Sequence, residues 1–246
     1  MSIDGPKDLE GLKRVGQAVA RARDEMAKAV SAGTSTAQLD DIGRRVLERY
    51  GARSAPKLAY DFPGTTCISV NDELAHGIPR KERVLRDGDL VNIDVSAELD
   101  GYWADTGASF SVGAPAPEAR ALLSATRQAL RDALEQARAG RPLRNIGRAV
   151  ERRARRARLH VVRELCGHGV GRNIHEEPSV PNTAAQHDGT VLWEGLVITI
   201  EPFLTTSPTH VIEDADGWTL RTANGALGAQ FEHTLVVTQG RPIIVT

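Results

Sequence analysis

A chain of 246 residues with 31 basic and 32 acidic side chains, formally −1 at pH 7, can bury a sizeable core but carries no net charge that would draw it to DNA or a membrane surface. No apolar run approaches the roughly 18 residues a membrane helix needs, and Met1–Pro6 lacks the basic and apolar regions of a signal peptide. Two cysteines, Cys67 and Cys166, fit a reduced compartment better than a disulfide scaffold, so a soluble, cytoplasmic globular protein is expected.

From Leu9 to about Ser31 the apolar residues Leu12, Val15, Val19 and Met26 fall at helical spacing. Gly33-Thr34-Ser35 breaks that helix, and Thr36 is placed to cap a second one running through Arg49 and ended by Gly51. Ala52 to Phe62 reads as irregular. Thr66 to Val70 reads as a short strand, followed by a loop to Pro79 that carries His76. Val91 to Phe110 reads as two strands: Val91, Ile93 and Val95 alternate with Asn92, Asp94 and Ser96 as in a half-buried strand, and Asp100-Gly101 is a hairpin-turn pair. After Pro115 to Pro117 come helical stretches at Glu118 to Ala139 and Asn145 to Arg158, separated by Gly140-Arg141-Pro142, with strands and loops to the end.

The order helix, helix, strands therefore occurs twice, and the letters repeat with it. Asp41-Ile42-Gly43-Arg44 returns as Asn145-Ile146-Gly147-Arg148. Cys67, His76 and Pro79 return as Cys166, His175 and Pro178, and Val84-Leu85, Ile93 and Asp94 return as Val191-Leu192, Ile200 and Glu201. Two copies of about a hundred residues exclude a solenoid of short repeats. One domain over 1–246 is expected, with pseudo-repeats of roughly 9–113 and 118–246 related by a pseudo-two-fold axis.

That repeat bears on the carboxylates. Asp94 and Asp105 sit on the strands of the hairpin instead of in its turn, where carboxylates are depleted and costly to bury alone. Solvated aspartates on an edge hairpin are the alternative. With Asp94 matched by Glu201 in I-T-I-E-P, and Glu232 added by A-Q-F-E-H-T, four carboxylates would converge on the axis. Buried together, they would repel one another strongly without cations, and two divalent metals are the economical remedy. His168, between Gly167 and Gly169 in C-G-H-G-V-G, is the histidine expected to join them. His76 and His175 occupy equivalent places in the repeats and should face each other as neutral donors flanking a substrate carbonyl. His160, His187 and His210 are read as ordinary core or surface residues.

The set Asp94, Asp105, His168, Glu201 and Glu232, in D-G-Y-W-A-D-T, G-H-G-V-G, T-I-E-P and Q-F-E-H-T, resembles that of the type I methionine aminopeptidases of peptidase family M24, and the likeness runs nearly end to end. No long insertion separates His175 from Glu201, which is similar to type I and unlike type II. The resemblance implies the pita-bread α/β (α+β) fold, a curved antiparallel sheet with helices outside and a dimetal site in its concavity. It implies that Asp94 chelates one metal, that Asp105 and Glu232 bridge the pair, and that His168 and Glu201 hold the other. The metals would be Co, Mn or Fe, with Zn compatible. The reaction implied is removal of N-terminal methionine from nascent proteins whose second residue is small. Glu201 would transfer a proton, and His76 and His175 would contact the scissile amide. A monomer is expected, with the basic run Arg148 to Arg158 as a ribosome contact or simply a solvated helix face.

The methionine pocket would use Phe62, Cys67 and Trp218. It departs from the family pattern at Ala59, where an aromatic is expected and Tyr60 follows one residue on, and at Ile174, where phenylalanine is usual. An aminopeptidase P or prolidase-like enzyme shares fold and ligands but usually carries an N-terminal domain for which there is no room before Leu12. A metal-free pita-bread binding protein is the third reading, disfavoured because all five ligands are present.

Overall fold

The computed structural model describes residues 1–186 and 189–246, so His187 lies outside the described residues. The chain opens with α1 (Pro6–Lys28) and α2 (Thr36–Tyr50), then β1 (Arg53–Ser54), α3 (Ala55–Tyr60), β2 (Cys67–Val70) and β3 (Glu73–Ala75). The hairpin β4 (Leu90–Leu99) and β5 (Tyr102–Ser111) leads through an exposed connector to α4 (Pro117–Leu134) and α5 (Arg144–Ala157). The remaining strands are β6 (His160–Val161), β7 (Cys166–Gly169), β8 (Glu176–Pro181), β9 (Val197–Ile200), β10 (Phe203–Thr205), β11 (Val211–Glu213), β12 (Leu220–Thr222), β13 (Gly228–Gln230), β14 (His233–Val236) and β15 (Ile243–Ile244). No described helix is long and apolar enough to cross a membrane.

Local chemistry accounts for several boundaries. Ser35, not Thr36, caps α2: its hydroxyl accepts from Gln38 N at 3.3 Å, while the Gln38 side chain accepts from Ser35 N at 2.8 Å. Gly51 closes that helix in the left-handed conformation, φ 70°. The stretch expected to be irregular holds α3, whose first turn tolerates Pro56 and is capped by Ser54. The helix after Pro117 ends at Leu134, short of the expected Ala139.

β4 and β5 pair in unbroken register from Leu90↔Ser111 to Leu99↔Tyr102, closed by Asp100 and Gly101 at φ 52° and 81°. In both strands most residues are buried, so β4 is covered on both faces where alternation had suggested one. One face packs Val91, Ile93, Val95 and Ala97 against Leu12, Val15, Val19 and Met26 of α1. Each fully buried large aliphatic of this kind is worth roughly 1.5–3 kcal/mol. The other face carries Asn92, Asp94 and Ser96 inward.

The second half of the chain builds an antiparallel sheet in the order β15-β14-β9-β7-β8. Leu122, Ala129, Ile146 and Val150 of α4 and α5 pack in one core with Ile198, Ile200 and Leu235 of that sheet. The two sheets meet along β5 and the segment around β13 and β14: Glu232 N donates to Gly107 O at 2.8 Å and Gln230 N to Ser109 Oγ at 2.9 Å. Antiparallel sheets curve around a central cavity with helices on the outside.

Candidate active site

The site grows from the β4–β5 register. Cys67 lies opposite Asp94, Gly107 opposite Asp94 on the other side, and Asp105 opposite Ser96. Asp94 and Asp105 are therefore diagonal neighbours on one face of the hairpin, and their carboxyls act on one another electrostatically. From the second sheet, His233↔Ile200 pairing places Glu232 and Glu201 side by side just beyond β14 and β9. His168 comes in on β7 with its backbone N–H on Thr199 Oγ1 at 3.1 Å and its Nδ1 on Gly169 O at 2.9 Å. That second bond leaves Nε2 facing the carboxylates, 3.6 Å from Glu201 Oε1 and 3.9 Å from Asp105 Oδ2.

The glycines beside His168 are there for close approach. A Cβ on Gly167 would lie 2.5 Å from Thr199 O, and one on Gly169 would lie 2.3 Å from Glu177 O. Gly107 admits the Gln230 side chain in the same way. Gln230 in turn receives Asn92 Nδ2 at 2.9 Å and donates to Glu232 Oε2 at 3.1 Å, fixing that carboxylate. Sequence reasoning passed over Asn92, Thr199 and Gln230, although Gln230 stands two residues before Glu232 in the quoted motif.

The electrostatics are those of a cation site. Burial raises Asp94, Glu201 and Glu232 well above the usual carboxylate range, and neighbouring carboxylates push further. Burial also raises Asp105, against the lowering effect of Asp94 beside it. Burial with His175 nearby lowers His168 to about 3, so it is a neutral donor at working pH. Buried Asp105 Oδ1 and Glu232 Oε1 have no hydrogen-bond partner. Ligand atoms of Asp105, His168 and Glu232 all lie within 4.8 Å of one another. Orphaned oxygens among mutually repelling carboxyls, with one neutral imidazole, fit a divalent cation that prefers oxygen and nitrogen donors.

Above the carboxylates opens a cavity of about 700 Å³ whose lining includes Asp94, Asp105, His168, His175, His76 and Glu201. His76 and His175 lie on this cavity, both lowered by burial and therefore neutral. The His168 and His175 rings meet at 4.2 Å between centroids. His76 adopts φ 55°, unusual for a side chain larger than glycine, and the next residue holds it: Gly77 N donates to Ser69 Oγ at 3.1 Å, and Ile68 N donates to Gly77 O at 2.9 Å. The apolar wall includes Phe62, Cys67, Ile174 and Trp218, with Phe62 and Trp218 edge-on at 5.2 Å. Phe203 and Ala75, not singled out from sequence, complete it. Ala59 is exposed and lies outside the wall, whereas Tyr60 lines the cavity and bonds to His175 Nδ1. Of the remaining histidines, His160 is half-buried and His210 exposed, both away from this cavity.

Residues 10–239 match the model of metallopeptidase family M24, and the chain belongs to that family. Among its members, the chain is 46% identical over 247 residues to methionine aminopeptidase 2 of Bacillus subtilis, covering 100% of this chain and 99% of that protein. It superposes on a crystal structure of methionine aminopeptidase from Thermotoga maritima with a TM-score of 0.96, at 32% identity, over 100% of this chain and 99% of that one. The prolidase of Pyrococcus furiosus matches with a TM-score of 0.77 and 23% identity over 65% of its length, a likeness of fold alone.

Proposed function

We propose that this metal-dependent aminopeptidase removes N-terminal methionine from proteins whose second residue is small, as a type I enzyme. The single observation that carries the reading is the meeting of Asp94, Asp105, His168, Glu201 and Glu232 at one end of a cavity with an apolar, aromatic wall. Similarity to methionine aminopeptidases along the whole chain supports it. The short connection from His175 to Glu201 supports the type I assignment.

Two divalent ions, with Co, Mn or Fe favoured by the oxygen-rich donor set and Zn compatible, would be held by these five residues. Asp94 would serve one ion, His168 and Glu201 the other, and Asp105 and Glu232 both. When bound, such ions supply Lewis acidity that activates water and polarises the scissile carbonyl. Glu201 would accept the proton of the attacking water and return it to the leaving amine. Neutral His76 and His175 would donate N–H bonds to the scissile amide, and their fixed positions would favour the tetrahedral geometry. Phe62, Cys67, Ile174 and Trp218 would bind the methionine side chain, whose polarizable sulfur gains from aromatic edges. His76 would crowd the space for the second residue, which sets the preference for small side chains.

Chain 1–246 would act as one catalytic unit built from two related halves, as a cytoplasmic monomer meeting nascent chains at the ribosome. The experiment that tests the assignment is a peptide panel with metal content measured alongside. Cleavage of Met-Ala and Met-Gly peptides, with Met-Leu and Ala-Pro peptides spared, is expected. Preference for proline in the second position whatever the first would move the protein to the prolidase-like class. Purified protein that binds no divalent metal would move it to a non-catalytic role.

A further inference from the structure

Tyr60 sits at the mouth of the cavity, where α3 ends. Ser54 pins that helix by accepting from Lys57 N at 3.4 Å and donating to Thr65 O at 2.7 Å. Asp61 then takes a left-handed conformation, φ 56°, which stops the helix and reverses the chain. The reversal sends two aromatic residues to different tasks. Phe62 enters the wall against Trp218, while Tyr60 lies over His175, rings 5.5 Å apart and tilted by 45°. Tyr60 Oη is hydrogen-bonded to His175 Nδ1.

A neutral imidazole carries one N–H, and the partner of one nitrogen decides which nitrogen keeps it. In the role proposed above, His175 donates to the substrate from the nitrogen that faces the cavity. Nδ1 is taken by Tyr60, so Nε2 must carry the proton and Nδ1 must accept. A phenol can donate that bond, whereas an acidic or carbonyl partner would force the opposite tautomer. We propose that Tyr60 is a positioning residue: its hydroxyl donates to His175 Nδ1 and thereby fixes the Nε2–H tautomer and the ring orientation needed at the scissile amide. This rests on the donor role of His175. It assigns to Tyr60 more than the wall contact expected of a pocket aromatic.

Two measurements test it, one independent of turnover. Long-range proton–nitrogen spectra of the metal-free, full chain labelled at histidine report the tautomer of each ring, with His175 assigned by difference from His175→Gln. Wild type should show His175 protonated at Nε2 and bare at Nδ1, and Tyr60→Phe should show a mixture of tautomers. A wild-type ring protonated at Nδ1, or a Tyr60→Phe spectrum unchanged at His175, would overturn the proposal. On the metal-loaded enzyme, Tyr60→Phe keeps the ring and loses the hydroxyl, so kcat on a Met-Ala-Ser peptide should fall about tenfold with KM within about twofold. Tyr60→Leu should raise KM as well. Unchanged kcat with a raised KM in Tyr60→Phe would reduce Tyr60 to a wall residue. Wild type with no methionine-releasing activity would overturn the assigned reaction, while the spectra would still decide what Tyr60 does to His175.

Discussion

Thr234 grips Asp105 by both of its backbone groups: its hydroxyl accepts from Asp105 N at 2.9 Å and donates to Asp105 O at 2.8 Å. Both residues are buried, so no water replaces a lost bond. Thr234→Val keeps the shape and leaves two backbone groups unpaired, which should destabilise the fold by about 1–3 kcal/mol. Weaker metal retention against a chelator should accompany it, and Thr234→Ser should restore both. A Thr234→Val protein that melts with wild type would contradict the account.

The carboxylate cluster couples metal, protons and stability. Asp94, Glu201 and Glu232 have raised pKa values in the metal-free fold, so the folded chain binds more protons than the unfolded one. Their contribution is fully present below the ordinary carboxylate pKa and is lost as pH rises through the raised values. The midpoint of the metal-free protein should therefore fall as pH rises above the ordinary carboxylate range, and the gap to the Mn²⁺-loaded protein should widen. Titration with Mn²⁺ in weak buffer should release protons. Asp105→Asn should be inactive even in excess Mn²⁺, and wild-type-like turnover there would sink the shared-ligand role.

Asp8 sets a separate acid limit. It accepts from Asp4 N at 2.9 Å, Tyr102 Oη at 2.8 Å and Arg172 at 2.7 Å, and its pKa is lowered, chiefly by the Asp4 backbone bond. A lowered carboxyl stabilises the fold above its unfolded pKa and loses that contribution as pH falls through the folded one. Thermal midpoints measured below about pH 4 should drop more gently for Asp8→Asn than for wild type. Parallel curves would show that Asp8 does not carry the effect.

The pocket wall predicts selectivity. Ile174 supplies a smaller face than the phenylalanine usual in the family, and one methylene of fit is worth only about 1–3 kcal/mol. Methionine should remain the best first residue, with norleucine and leucine penalised mildly. Ile174→Phe should raise the methionine-to-leucine ratio of kcat/KM about tenfold, and an unchanged ratio would remove Ile174 from the determinants.

On α5, Arg144, Arg148, Arg152, Arg155 and Arg156 are exposed, and Arg153 alone of its arginines pairs with an acid among the described residues, at 2.8 Å from Asp132. The proposed ribosome contact would use this basic face, which is otherwise a solvated helix surface. Co-sedimentation with ribosomes should weaken steeply with salt and fall when Arg152, Arg155 and Arg156 become glutamine. Equal co-sedimentation of that triple variant would leave α5 as a solvated face.

The hairpin was legible in the sequence because two local signals agreed, the alternation through Val95 and the Asp100-Gly101 turn. The burial of both faces of β4 was not. Asn92, Asp94 and Ser96 look like a solvent face until the second sheet closes over them through Gly107, Gln230 and Glu232. The helix α3 escaped because six residues beginning with Ala55-Pro56 are too few to show a period. Which of two neighbouring residues, Ala59 or Tyr60, enters the cavity depends on the rotation of that short helix. The carboxylates and His168 stood out because charged side chains and paired glycines are conspicuous on strands. Their helpers Thr199, Thr234 and Asn92 are ordinary strand residues, distinguishable only by what they touch.

The connector from Gly113 to Ala116 is almost wholly exposed, and each side of it carries its own pair of long helices over a core drawn mostly, though not wholly, from that side. Asp94 and Asp105 lie before it; His168, Glu201 and Glu232 lie after it. A chain cut at this connector would give two pieces, neither holding the complete set of proposed metal donors, that share the long seam between β5 and the segment around Glu232. Fused to two other proteins, the pieces would regain methionine release only when those proteins bring them together, which makes the enzyme a divisible reporter of association.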